Sequence, residues 1–316
     1  MFKLTVFVPL KDRPEYTEVF LKNLENDFYY IFADGSKGNE NQNLFKSLNL
    51  NNIEYHKFDY DNSVKIYVEK INKCLSFVKT QYVIMCDNDD FIIKKGAIKS
   101  VLKLENSEFA CAGGPIYTTF QNTSLKNFYS LPRILEKNLL INGLNGYEDL
   151  KKIFDNYEYL YYSVYRTDFL RQLWKKIKIL KIYHITLIEY FLTIFTILKS
   201  SYCNIGSCHY LRLRNPYTSS HLEENPHNFS HENKIFFDKN YREMVFNIAK
   251  SLNNDFNINE QNFLNDFKQL YINHFKKIAL KRNQGYLIKI KNRLKNIFYS
   301  NILRIFNIKF IKFLLN

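Results

Sequence analysis

No run in this 316-residue chain is apolar for long enough to cross a bilayer, which takes about 20 such residues. The longest, Ile182 to Leu198, carries Glu189 near its middle, and lipid would penalise that carboxylate. It reads instead as a buried helix. No secretory leader is visible, and the five cysteines, Cys74, Cys86, Cys111, Cys203 and Cys208, are scattered and odd in number. The expected setting is therefore a reducing cytoplasm. Cys203, Cys208 and His209 lack a fourth ligand at useful spacing, which argues against zinc. No internal repeat is apparent. No Gly-rich loop follows the first strand-like segment, where Leu10-Lys11-Asp12-Arg13 stands, and this disfavours a nucleotidyltransferase. Acidic residues are missing from one region altogether: Phe267 to Asn316 holds twelve Lys and Arg and no Asp or Glu. Those twelve account for most of the net charge of +14, so the preceding residues are nearly neutral. A nucleic-acid-binding module would spread positive charge over its folded surface, and nucleic acid is not an expected partner.

What is present is concentrated at Tyr82-Val83-Ile84-Met85-Cys86-Asp87-Asn88-Asp89-Asp90-Phe91. The apolar run reads as a strand covered on both faces, and three carboxylates follow where that strand must end. Like charges so close raise one another's pKa unless a cation sits among them. A divalent metal that itself holds a phosphorylated ligand is one natural partner. A solvated acidic turn capping the next helix is the other reading, since Asp is also a good turn and N-cap residue.

Strand-like and helix-like patterns alternate through the first third. Leu4 to Val8, Tyr29 to Ala33 and Ile53 to Phe58 read as strands. Val64, Val68, Ile71, Leu75 and Val78 step by four and three, as an amphipathic helix does. The alternation predicts a mostly parallel α/β sheet with helices on both faces, in which ligands sit beyond the carboxyl ends of the strands. Lys11, Asp12 and Arg13, then Asp34, then Asp87, Asp89 and Asp90, all fall at such ends. Farther on, Thr123 to Gly146 reads as a loop-rich insert, Tyr161 to Arg166 and Tyr210 to Arg214 as strands, and the residues after His231 as two or three long helices.

A strand ending in Pro-x-Lys-Asp-Arg-Pro, then Ala-Asp-Gly-Ser, then Cys-Asp-Asn-Asp-Asp-Phe, resembles the nucleotide-binding half of inverting family 2 glycosyltransferases of the GT-A fold. Tyr162-Ser163-Val164-Tyr165-Arg166, Ile188-Glu189-Tyr190 and Leu211-Arg212-Leu213-Arg214 are similar to that family's later motifs, so the likeness covers roughly residues 3 to 220. The resemblance implies that Asp12 and Asp34 contact the base and ribose of a nucleotide-sugar donor, with Arg13 beside them. It implies that Asp87 and Asp89 hold ribose, diphosphate and a Mg²⁺ or Mn²⁺ ion, and that Glu189 deprotonates the acceptor hydroxyl. Arg212 and Arg214, two apart on one strand face, would brace the diphosphate or an anionic acceptor; an exposed strand face explains them equally well. Glu189 has its own plainer reading, a buried carboxylate paired with an arginine. Asp90 has two roles open, helix cap or site residue. Tyr157, Tyr159, Tyr161 and Tyr162 would stack on a sugar or merely alternate along a strand.

The resulting expectation is a metal-dependent transferase built as a GT-A domain over 1–220, with a nucleotide half over 1–117 and an acceptor half over 118–220. A helical extension over 221–316 completes it. The acceptor class implied is a surface glycan, capsule or lipooligosaccharide, or a lipid-linked precursor. The alternative is a nucleotide-sugar-binding or nucleic-acid-binding protein without transferase activity. In the tail, Leu287, Ile290, Leu294, Ile297, Phe298 and Ile305 fall on one side of a helical projection, and Lys289, Arg293 and Arg304 on the other. That separation suits an anionic membrane surface at the inner face of the cytoplasmic membrane, and it equally suits packing on the domain.

Overall fold

A computed structural model describes residues 2–46, 48, 51–120, 133–134, 146–150, 160–199, 201–214 and 238–269. Most of the insert over 123–146, the tyrosines at 157 and 159 and the tail over 286–316 lie outside them, as does the side chain of Arg214.

The chain divides into two compact units, one of residues 1–118, 133–150 and 158–213, the other of 119–132, 151–157 and 214–316. In the first unit the leading strands are β1 (Leu4–Leu10), β2 (Tyr29–Asp34), β3 (Ile53–Lys57) and β4 (Tyr82–Met85). They stand in the order β3-β2-β1-β4 and run parallel. β1, apart from Thr5, and β4 are apolar because they are interior strands of a sheet covered on both faces. β1 runs past Pro9 to Leu10, registered against Ala33 and Asp34, so the proline does not stop it. The sheet continues from β4 through β9 (Val164–Arg166), antiparallel to both neighbours, to β6 (Cys111–Gly113) and β10 (Tyr202–Asn204). The expected mostly parallel α/β architecture is present. A second sheet joins β5 (Phe91–Ile92), β11 (Tyr210–Arg214), β7 (Ile116–Phe120) and β8 (Arg133–Ile134).

Helices α1 (Pro14–Leu21), α2 (Glu40–Lys46), α3 (Val64–Leu75) and α4 (Lys94–Glu105) follow the first strands. α3 starts where the Ser63 hydroxyl accepts the Ile66 N–H, and it buries Val68, Ile71, Cys74 and Leu75 at helical spacing. It also buries Lys70, which the apolar pattern does not foretell. After β9 come α5 (Thr167–Ile179) and α6 (Ile185–Leu198). α6 is apolar nearly all round, and from Tyr190 to Leu198 every residue is buried, as a helix inside a domain should be. No helix among the described residues is long and apolar enough to cross a membrane.

One sequence expectation changes here. The strand predicted over Tyr161 to Arg166 covers only Val164–Arg166, because Leu160 to Ser163 closes a turn through a 3.0 Å bond from the Ser163 N–H to the Leu160 carbonyl. Arg166, at the end of β9, donates to the carbonyls of Leu104, Ser107 and Phe109 at 2.6–2.9 Å. A fork of N–H donors suits the orphaned carbonyls at the end of α4. In the second unit, α7 (Lys239–Phe256) is capped by Asp238, whose carboxylate accepts the N–H groups of Asn240 and Tyr241; a further helical segment covers 260–269.

Candidate active site

Strand order reverses between β1 and β4, and in open parallel sheets that switch point is where ligands sit, beyond the carboxyl ends of the strands. From β1 the chain enters the switch point through Asp12 and Arg13, both in left-handed backbone with φ of 56° and 53°. From β4 it enters through a turn at Asp87 to Asp90, closed by a 3.1 Å bond from the Asp90 N–H to the Asp87 carbonyl. That turn folds the acidic run back on itself. The carboxylates of Asp87, Asp89 and Asp90 consequently each present an oxygen within 4.8 Å of the others.

Tyrosines and one arginine set the turn. The Tyr162 hydroxyl donates to Asp87 Oδ2 at 2.8 Å, and the Tyr210 hydroxyl donates to Asp90 Oδ2 at 2.8 Å. Asp90 therefore faces the site. It does not cap α4, which begins with Ile93 at its N-cap and no side-chain cap bond. Tyr162 stands in the turn before β9 and not in a strand, so alternation does not account for it; its neighbour Tyr161 meets the Tyr67 hydroxyl at 2.8 Å. Burial and then the Asp89 charge push the Asp87 carboxyl up, while Arg212 and the Tyr162 hydrogen bond pull it back. Burial, Asp89 and Asp87 drive the Asp90 carboxyl well above the usual carboxylate range. Arg212, its guanidinium 5.3 Å over the Tyr162 ring, partly offsets both.

Glu189 comes from α6. It is half-buried, and no described residue hydrogen-bonds its carboxylate. Burial lifts its carboxyl to about 7, Arg212 opposes this and Asp87 adds to it, so Glu189 shares the electrostatics of the acidic turn. The plainer reading, a close ion pair with arginine, is not what the described residues make.

Asp34, by contrast, is fully buried and its oxygens are taken. Oδ1 accepts the Ser36 N–H at 2.8 Å and the Ser36 hydroxyl; Oδ2 accepts the Tyr55 hydroxyl and Lys57 Nζ at 3.2 Å. Its visible work is to shape the Asp34-Gly35-Ser36 turn. Ser36 in turn accepts the Asp12 N–H at 2.7 Å, and Asp12 Oδ1 accepts the Lys37 N–H at 3.1 Å, which ties the ends of β1 and β2 together. His209 is a core residue: Nδ1 accepts the Gly114 N–H at 3.0 Å, Nε2 meets the Tyr162 carbonyl at 2.9 Å, and burial lowers its pKa to about 4. Cys203 and Cys208 join no metal-ligating cluster among the described residues, where the acidic turn is the one group of that kind.

No protein-family model matches the chain, and no curated protein matches it. Among solved structures it is similar to S. aureus TarS 1-349 in complex with UDP-GlcNAc, at 16% identity and a TM-score of 0.47, covering 83% of this chain and 74% of that one. The same region of S. aureus TarS without that ligand gives 16% identity and a TM-score of 0.45, again over 83% and 74%. A longer S. aureus TarS structure gives 17% identity and a TM-score of 0.41 over 83% of this chain and 45% of that one.

Proposed function

We propose that this chain is a metal-dependent glycosyltransferase that moves a sugar from a nucleotide-sugar donor to an acceptor hydroxyl by inverting displacement. One observation supports this above the rest: a three-carboxylate turn stands at the sheet's switch point, and burial, with its Asp87 adding, lifts the carboxyl of a separate residue, Glu189, to about 7. The two carboxylate sets suit two different tasks. The donor atoms of the turn fit Mg²⁺ or Mn²⁺, being hard oxygens close enough to share one ion, and a cation among them would offset the mutual repulsion that raises the Asp90 carboxyl. Asp87 and Asp89, with Asp90, are the residues that would hold it. When bound, the metal neutralises charge on the departing diphosphate.

The protein's own groups divide the rest. The Tyr162 and Tyr210 hydroxyls hold Asp87 and Asp90 in place, each through one bond to Oδ2. Arg212 supplies positive charge beside them. Glu189 takes the proton from the acceptor hydroxyl, and a carboxyl near 7 is matched to that role because it is part-ionised yet still basic. Asp12, Arg13 and the turn shaped by Asp34 form the nucleotide side. A surface glycan or lipid-linked acceptor, reached with help from the basic tail, extends the same reading.

Hydrolysis of a panel of nucleotide sugars with and without Mn²⁺ tests the proposal, since a pure binding protein would release no sugar. Asp89→Asn should weaken Mn²⁺-dependent binding of a nucleoside diphosphate by no less than the about 10- to 100-fold that losing an outer-shell partner costs. Calorimetry with unchanged affinity in a folded variant counts against the metal site. The pH dependence carries a definite sign: the base is competent only when deprotonated, so transfer should rise through about pH 7 and fall about tenfold per unit below it. A rate flat from pH 5 to 8 would remove Glu189 from the mechanism.

A further inference from the structure

The cation that the acidic turn already holds belongs to the protein. Arg13 Nη1 donates to Asp89 Oδ2 at 2.7 Å and Nη2 donates to Asn88 Oδ1 at 2.8 Å, so one guanidinium bridges from the end of β1 to the turn after β4. The backbone is bent to deliver it, because Asp12 and Arg13 are consecutive left-handed residues and that conformation is unfavourable for any side chain with a Cβ. Asn88 braces the same bridge by donating to the Thr17 hydroxyl at 3.0 Å.

We propose that Arg13 is an internal counter-cation of the acidic turn, which a divalent metal must displace from Asp89, so that Arg13 sets the metal affinity of the site. This rests on the metal reading given above. Three features suit the guanidinium to leaving. Its Nε is buried with no hydrogen-bond partner, so the bridge does not satisfy the group it holds. The pair is more open than the Lys70–Asp61 pair, with side-chain exposures of 21% and 16% against 1% and 3%, so breaking it costs less. Finally, the Tyr16 ring lies 5.3 Å from the guanidinium and offers a cation–π surface on which it can rest. A metal bound by Asp87, Asp89 and Asp90 gains an oxygen when Arg13 lets go, and it meets a like charge if Arg13 stays.

The test is Mn²⁺ affinity of the full chain, without nucleotide, read by the electron paramagnetic resonance of free Mn²⁺. Arg13→Gln removes the competing cation and should tighten Mn²⁺ binding by about tenfold or more, since a unit charge a few ångströms away is worth at least that factor. Arg13→Lys keeps the charge but cannot fork to Asn88 and Asp89, and should lie between. Asn88→Ala, which frees one arm of the fork, gives a smaller tightening and serves if Arg13→Gln folds poorly. A purely structural Arg13 would lower thermal stability and leave Mn²⁺ affinity unchanged or weaker, and that result overturns the inference while the metal site stands. If neither the natural chain nor any of the three variants binds Mn²⁺, the metal reading falls and this inference with it.

Discussion

Glu189→Gln is expected to slow sugar transfer by about 10²- to 10⁴-fold, the usual cost of losing a general base, while donor binding is retained. The substitution keeps size and shape and removes only the ability to accept a proton. It also removes a carboxyl that burial lifts to about 7, so the fold gains or is unchanged. A single-turnover rate separates the two possible roles. If Glu189 only shaped the pocket, the amide would preserve turnover and the pH dependence would persist in the variant. If it is the base, the residual rate should lose its inflection near pH 7. Near wild-type turnover in Glu189→Gln, with Mn²⁺-dependent donor binding intact, would reduce the residue to a packing role and move the search for a base elsewhere.

The parts of this fold that the sequence makes legible are those carried by periodicity. β1 to β4 alternate with helices whose apolar positions step by three and four, and strands buried on both faces cannot hide in composition. Asp87 and Asp89 are legible for a related reason, since charge that begins where an apolar run stops must sit at a strand's end. Glu189 stands out because it interrupts an otherwise apolar helix.

What stays hidden depends on side-chain direction. Tyr162 and Tyr210 belong to segments rich in aromatics, where a tyrosine that packs and one that orients a carboxylate look alike in sequence. Only the turn at Leu160 to Ser163 aims Tyr162 at Asp87. Asp90 was open between cap and site, and the bond from its N–H to the Asp87 carbonyl decides it by curling the run inward. Asp34 shows the converse. Its place at the end of β2 is legible, but its saturation by Ser36, Tyr55 and Lys57 is not, because those partners come from the next turn and the next strand. Lys70 is the least legible of all: lysines on amphipathic helices are almost always solvated, and this one is buried.

Lys70→Met is expected to destabilise the first unit by about 3–5 kcal/mol, the cost of breaking a buried ion pair from one side. Lys70 Nζ holds Asp61 Oδ2 and donates to the Leu10 carbonyl at 3.0 Å, with both side chains almost wholly excluded from water. Removing it leaves the Asp61 carboxylate without its cation in a site where Oδ1 already has no partner. Burial raises the Asp61 carboxyl above its usual range even with Lys70 pulling it down, so without Lys70 it rises further. The sign of the pH effect follows. The folded variant then binds a proton that the unfolded chain releases above about pH 4, so its stability falls as pH rises, by about 1.4 kcal/mol per unit until the folded pKa is reached. The deficit against the natural chain should therefore shrink near pH 4 and be largest at neutrality and above. Asp61→Leu with Lys70→Met, which removes both charges, should recover most of the loss. Function is tied to this pair through Gly35: the Asp61 N–H donates to the Gly35 carbonyl at 2.9 Å, and a Cβ at Gly35 would collide with the Asp61 carboxylate. The ion pair thus backs the Asp34-Gly35-Ser36 turn at the end of β2. Denaturant midpoints for the single and double variants at pH 4 and pH 7 measure the whole scheme, and a Lys70→Met deficit that is small and independent of pH would show the pair to be idle.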